Sequence, residues 1–260
     1  MNRLYSLIEA LGQRFIDALE DLGRMGQLAF AASAFAFKPP FRPRELFTAM
    51  EDVGVGSLFI VMLTGVFAGA VFSLQSVQGF RMFGAESMVG TTVALTLTRE
   101  LGPVLTGLMV AGRSGSAMAT TIGTMRVTEQ INAMEVMAVD PVHYLITPRV
   151  VATTAMLPLL NSLFVLVGMV GAYVVAVVML DVDPGMFMGN IGLIVDPMDL
   201  IKGCIKAGAF GFAIAVIGCH RGFHAAGGAK GVGEATTSAV VLSSVTVLII
   251  NYFLTALMFT

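Results

Sequence analysis

Arg99 and Glu100 are the only charged residues between Ser87 and Gly112. A guanidinium and a carboxylate in such a run are costly in hydrocarbon unless they are paired or face a wet cavity, so the pair is a functional hypothesis by default. Neighbours in sequence point about 100° apart on a helix. The two are therefore expected to reach other groups rather than each other. The chemistry open to them is recognition: Arg99 attracts a phosphate and Glu100 tunes or gates that contact. The plainer reading of the same residues is a structural polar network between helices.

No other pattern offers catalysis. A P-loop needs Gly-Lys-Ser/Thr to cradle phosphates, and the four lysines follow Phe37, Ile201, Ile205 and Ala229. Gly231-Val232-Gly233 lacks the third glycine of a dinucleotide fingerprint, and neither HExxH nor GxSxG occurs. His143, His220 and His224 are too scattered to define a metal site. Cys204 and Cys219 match neither a CxxC pair nor a zinc spacing and read as small buried hydrophobes. The chain is expected to be no enzyme and to hold no cofactor or metal of its own. Active transport would take its energy from an ion gradient or a separate ATPase.

The elements that must position Arg99 and Glu100 are membrane spans. Only 12% of the 260 residues are charged and 56% are hydrophobic, against about 25% charged in soluble domains. Charge-free or nearly charge-free stretches place five spans at Val53–Phe80, Glu86–Gly112, Val150–Leu180, Ile201–Cys219 and Thr236–Phe259, each near the ~20 residues a bilayer requires. Pro158 is expected to kink the third. Asp181, Asp183, Asp196 and Asp199 mark an acidic connection, and Gly222–Gly233 reads as a polar link. Gly65, Gly69 and Ser73 recur at four and present a small-residue face, for a second copy or for packing within one subunit. Ahead of the spans, residues 3–26 carry Leu4, Ile8, Leu11, Phe15, Leu19 and Leu22 at helical spacing, with Arg3, Glu9, Gln13, Arg14, Asp17 and Asp21 elsewhere. That pattern predicts an amphipathic helix in the membrane interface, and Pro39, Pro40 and Pro43 end it. The fold class is all-α: residues 1–45 an interfacial helix and linker, residues 46–260 a polytopic permease domain.

With the amino terminus in the cytoplasm, eleven of the fifteen basic residues lie inside, as the positive-inside rule prefers. Five spans then put the carboxyl terminus in the periplasm. Lys202 and Lys206 fall on the outer side, where they snorkel or face an internal cavity. No signal peptide is read at the amino terminus. A formal charge of −2 without a basic, aromatic-interleaved stripe excludes a nucleic-acid partner.

Beyond Gly112 the chain is nominally cytoplasmic yet barely charged. Ala111, Gly115, Ala119 and Gly123 recur at four, followed by Arg126, Glu129 and Glu135 mixed with Met125, Ile131, Met134, Val136 and Met137. The mixture reads as a short helix docked into another protein's groove, charges setting the register, or packed on the chain's own membrane domain. Val139-Asp140-Pro141 ends it.

Glu-Leu-Gly-Pro-Val, Ala-Gly-Arg-Ser-Gly-Ser-Ala, Gly-Thr-Met-Arg-Val-Thr-Glu-Gln-Ile-Asn-Ala-Met and Met-Ala-Val-Asp-Pro, all within 100–141, closely resemble the central signature of the MlaE permease family. The likeness extends to Leu-Pro-Leu-Leu at 157–160 and to the closing Asn-Tyr-Phe-Leu-Thr-Ala-Leu-Met-Phe. The resemblance implies the membrane subunit of an ATP-driven transporter carrying phospholipid or related lipid between inner and outer membranes. It implies a homodimer in the bacterial inner membrane, a cytoplasmic ABC ATPase that holds the ATP and Mg, and a periplasmic MCE-domain protein, often a hexamer. Many proteobacterial members add a STAS-domain protein. It implies a coupling helix near Ser116–Val139, with Arg113, Arg126, Glu129, Met134, Glu135 and Asp140 as ATPase-coupling candidates. Arg99 and Glu100, with Leu74 and Gln75, are the lipid-pocket candidates, and Gly65 and Gly69 the dimer-packing candidates. The rival readings are an ion-coupled secondary transporter, which predicts carboxylates in several spans and often a repeated half, and a non-transporting membrane anchor for an MCE ring.

Overall fold

The structure, a computed structural model, describes residues 2–36, 38–39 and 42–259, without the side chains of 2–11, 14, 15, 17, 18, 193 and 259. All regular elements among the described residues are helical. They are α1 (Asn2–Ala36), α2 (Pro43–Arg81), α3 (Glu86–Val127), α4 (Gln130–Val136), α5 (Val142–Met179), α6 (Pro184–Gly189), α7 (Ile191–Ile194), α8 (Pro197–Phe223) and α9 (Gly228–Phe259). Helices α2, α3, α5, α8 and α9 are each long and apolar enough to cross a bilayer.

Every span is longer than its charge-free run. The glycine-rich link shrinks to a turn at 224–227, because Gly222 still belongs to α8 and Gly228 already opens α9. Helix α1 continues ten residues past the expected end, through Leu-Ala-Phe-Ala-Ala-Ser-Ala, where alanine favours helix. Its Met25, Leu28 and Ala32 are buried on the domain, while Ile16, Leu19, Leu22 and Phe30 stay exposed. The apolar face left outward suits the membrane interface. Leu4, Ile8, Leu11 and Phe15, with Arg3, Glu9, Arg14 and Asp17, lie outside the described side chains. Asp21 anchors the helix: its carboxylate accepts from Arg221 at 2.8 Å, on the last turn of α8.

The most extensive contact joins α2 to α5. At Gly69 a methyl group would strike the Gly168 carbonyl, and at Gly171 the Val66 carbonyl; Gly65 lies against Val167 and the Phe164 carbonyl. Ser73 Oγ donates to the Ala172 carbonyl at 2.9 Å. Apolar side chains gain nothing by leaving lipid for each other, so membrane helices associate where small residues admit close van der Waals contact. Of the two readings of Gly65 and Gly69, the packing within one subunit is the one seen here: their face lies against α5 of the same chain. Helix α8 runs through the centre against α3, α5 and α9. At Gly203, Gly211, Gly218 and Gly222 any side chain would collide with a backbone carbonyl of α3 or α5. Helix α9 rides outside, with Val241, Val245, Leu248, Ile249, Tyr252, Phe253 and Leu257 exposed.

Candidate functional site

Helices α3 and α5 each contain two π-turns, and those of α3 carry Arg99, Glu100 and Arg113. In α3, Leu97–Leu101 is a π-turn, a local widening that recurs at functional sites. Pro103 follows, and a proline has no N–H to give the carbonyl four residues back. That carbonyl belongs to Arg99, and it accepts instead from Lys206 Nζ of α8 at 2.9 Å.

Around this bond a network closes. Lys206 also donates to Glu100 Oε1 at 2.9 Å and to Thr255 Oγ1 at 2.7 Å. Asn251 Nδ2 donates to Glu100 Oε2 at 3.0 Å. Thr255 sits 3.1 Å from Glu100 Oε1, so α9 supplies two polar groups to one carboxylate. Arg99 Nη2 donates to Asp199 Oδ2 at 2.9 Å. Asp199 is the third residue of α8, where it also closes a capping box with Asp196. Lys202, one turn on, donates to the Met258 carbonyl at 3.0 Å.

Burial divides the four charges into two layers. The side chains of Lys206 and Asp199 are 0% and 4% exposed, whereas Arg99 and Glu100 are each 37% exposed. A buried charge stripped of its partner costs several kcal/mol, so the inner lysine and aspartate hold the outer carboxylate and guanidinium in place. The outer pair offers one acceptor and one donor to whatever lies against the domain. The site is near the first turns of α8 and the last turns of α9.

The profile of the family described as Permease MlaE matches residues 46–257. The chain belongs to this permease family. It is 43% identical over 256 residues to a probable ABC transporter permease protein of Rickettsia conorii, covering 98% of this chain and 99% of that one. It is 40% identical over 259 residues to the intermembrane phospholipid transport system permease protein MlaE of Haemophilus influenzae, covering 98% of both. A probable ABC transporter permease protein of Synechocystis is 44% identical over 216 residues, covering 83% of this chain and 82% of its own.

In this permease, Arg99 and Glu100 each reach α8, as their spacing predicts. Leu74 and Gln75 are exposed on α2 and take no part in the network. Sequence reasoning missed Asp199, Asn251 and Thr255. Asp199 had been assigned to an outward acidic link, but it is 3% exposed and turned inward. The signal was present: Asp199, Lys202 and Lys206 recur at three and four, one polar stripe on an otherwise apolar helix. Lys206 faces the interior rather than snorkelling.

The segment expected to dock elsewhere divides in two. Through Val127 it is the end of α3, and its smooth face is covered by the chain itself: Gly115 lies against Ile214, and Gly123 against Ala225 and Val232. That face is therefore an internal contact, the second of the two readings. Helix α4 alone projects, bracketed by Glu129 at φ 63° and Ala138 at φ 57°, left-handed conformations that cost about 1–3 kcal/mol each. Arg126 donates to Asn132 Oδ1 at 2.7 Å and its guanidinium stands 5.6 Å from the Phe223 ring centre. Asn132 in turn donates to the Glu129 carboxylate. Met134 is half-buried, Glu135 exposed, and Val136 and Met137 are 88% and 67% exposed. Asp140 caps α5, accepting from Val142 N at 2.8 Å. Arg113 donates to the Asp52 carbonyl at 3.1 Å, away from α4.

Proposed function

We propose that the chain is the membrane subunit of an ATP-driven transporter that moves phospholipid, working as a homodimer with a cytoplasmic ATPase. The carrying observation is the layered network of Arg99–Asp199 and Glu100–Lys206, polar groups held half-open inside an apolar domain. The name of the Haemophilus influenzae relative points to phospholipid as cargo. A lipid phosphate suits the Arg99 guanidinium, and acyl chains suit the methionine- and phenylalanine-rich spans. With the amino terminus in the cytoplasm, as the basic residues favour, the network lies toward the periplasmic end. An MCE-domain protein then receives or delivers lipid there.

Helix α4 is the coupling element in this reading. Its Val136 and Met137 form an apolar knob between two strained residues, suited to a groove on the ATPase. Closure of the ATPase dimer shifts α4 and, through α3, the π-turn that holds Arg99 and Glu100. Transport follows only if lipid affinity differs between the two arrangements.

The test is purification of the tagged chain from its host in mild detergent, with mass spectrometry of proteins and lipids that accompany it. A P-loop ATPase, an MCE-domain protein and bound phospholipid in stoichiometric amounts are expected, with the lipid lost on Arg99→Ala. Recovery of the chain alone after gentle crosslinking would refute the reading. Transport that collapses with a protonophore but survives an inactive ATPase would establish an ion-coupled carrier instead.

A further inference from the structure

A second polar site lies at the opposite membrane boundary. A cleft of about 350 Å³ opens between the start of α2, the middle of α3 and the start of α5, lined by Glu45, Asp52, Arg113, Tyr144 and Arg149 among others. Its volume is within the ~300–1,000 Å³ of small-molecule sites. Its depth is set by sequence. Asp52 immediately precedes the uncharged run 53–80, Arg113 immediately follows 101–112, and Arg149 immediately precedes 150–180. Three separate spans therefore place a charge at the level where hydrocarbon gives way to headgroups.

Two of the walls are π-turns. Arg113 and Ser114 lie on the π-turn Ala111–Gly115, and Tyr144 and Leu145 on the π-turn Val142–Ile146. The Arg113 guanidinium rests on the bare backbone of Gly56, where a Cβ would come within 2.5 Å of Nη2. The guanidiniums of Arg113 and Arg149 are bonded to the carbonyls of Asp52 at 3.1 Å and of Leu145 at 2.6 Å. Yet among the described residues no ion pair joins Glu45, Asp52, Arg113 and Arg149, although all four line one cleft. Val53, Met118 and Leu145 add apolar wall.

We propose that this cleft binds a zwitterionic phospholipid headgroup, a phosphodiester that carries an amine. Basic pockets between membrane helices hold lipid phosphates. Here Arg113 and Arg149 take the phosphate, and Glu45 and Asp52 take the ammonium. A purely anionic headgroup meets repulsion from the two carboxylates, and a soluble anion gains nothing from the apolar wall. The site is separate from the Arg99–Lys206 network, and binding there needs no ATPase or MCE partner. Its test is therefore independent of the transport reading.

The chain has no tryptophan, so Tyr144→Trp installs a single, selectively excitable tryptophan in the cleft wall while keeping an aromatic face for Arg42, whose guanidinium stacks 4.3 Å from the ring centre. The detergent-solubilised chain is titrated with short-chain phosphatidylethanolamine, short-chain phosphatidylglycerol, phosphoethanolamine and inorganic phosphate. A saturable spectral change is expected with the first, and binding about tenfold weaker or worse with the other three. Adding Arg113→Gln or Arg149→Gln lowers affinity for phosphatidylethanolamine by about tenfold or more. Equal binding of inorganic phosphate would overturn the lipid assignment in favour of a soluble-anion site. Absence of any saturable response overturns the site itself. Should the arginine variants fail to fold, Gly56→Ala displaces the Arg113 guanidinium, and unchanged affinity in that variant also overturns it.

Discussion

Lys206 Nζ lies 2.9 Å from Glu100 Oε1, the lysine wholly buried and the carboxylate more than a third exposed. The two are 106 residues apart and come from different spans. The asymmetry makes the lysine a fixed support for a half-open carboxylate. Lys206→Met leaves the half-open Glu100 without its charge partner and the Arg99 carbonyl without its donor, a loss of about 1–3 kcal/mol. Thermal unfolding in detergent should show the drop. The double variant Lys206→Met, Glu100→Gln should recover much of the stability and none of the lipid transport. A double variant that still transports at the original rate would remove the pair from function.

The α2–α5 contact predicts that Gly69→Leu abolishes folding, because the added side chain meets the Gly168 carbonyl. The expected readout is aggregation or loss of accumulation on size-exclusion chromatography. A well-folded but monomeric Gly69→Leu protein would return Gly65 and Gly69 to a dimer interface.

On α4, neighbouring apolar positions should behave in opposite ways. Val136→Asp is expected to leave the melting temperature within a few degrees and to abolish co-purification of the ATPase, because Val136 is exposed. Ile131→Asp, at a buried position, should destabilise the chain by several kcal/mol. Retained ATPase binding in a folded Val136→Asp protein would show that α4 is not the coupling element.

The bond from Arg221 to Asp21 at 2.8 Å ties α1 to the spans. Asp21→Asn should raise hydrogen exchange along α1 with little change across α8. Equal protection of α1 in both proteins would mean that Met25, Leu28 and Ala32 hold it without the ion pair.

The five spans were legible because a bilayer demands long uncharged runs, and Val53–Phe80 or Val150–Leu180 can be little else. Their ends were not, because glycine reads as a link in water and as a packing device in lipid. Gly222 and Gly228 are both helical here. Arg99 and Glu100 stood out as charges in the wrong solvent. Their partners did not, since Asp199 looks like a loop acid and Thr255 like any small polar residue until α8 and α9 are brought beside α3. The Gly65–Gly69 face announced a close contact without saying whose helix would fill it. The coupling segment read as one helix because no glycine or proline separates Val127 from Gln130, and the break falls on Glu129 in a conformation that side chains disfavour.

Pro103 is conspicuous in α3 as a residue that removes a hydrogen bond. Its effect is felt in α8, where it leaves an acceptor for Lys206. The missing N–H at 103 and the lysine at 206 therefore serve the same carbonyl. A lineage that restores an N–H at 103 sets it in competition with the lysine for the Arg99 carbonyl, and a lineage that replaces the lysine leaves that carbonyl without its donor. Across homologous chains the two positions should therefore change together or not at all, although 103 residues separate them in the sequence.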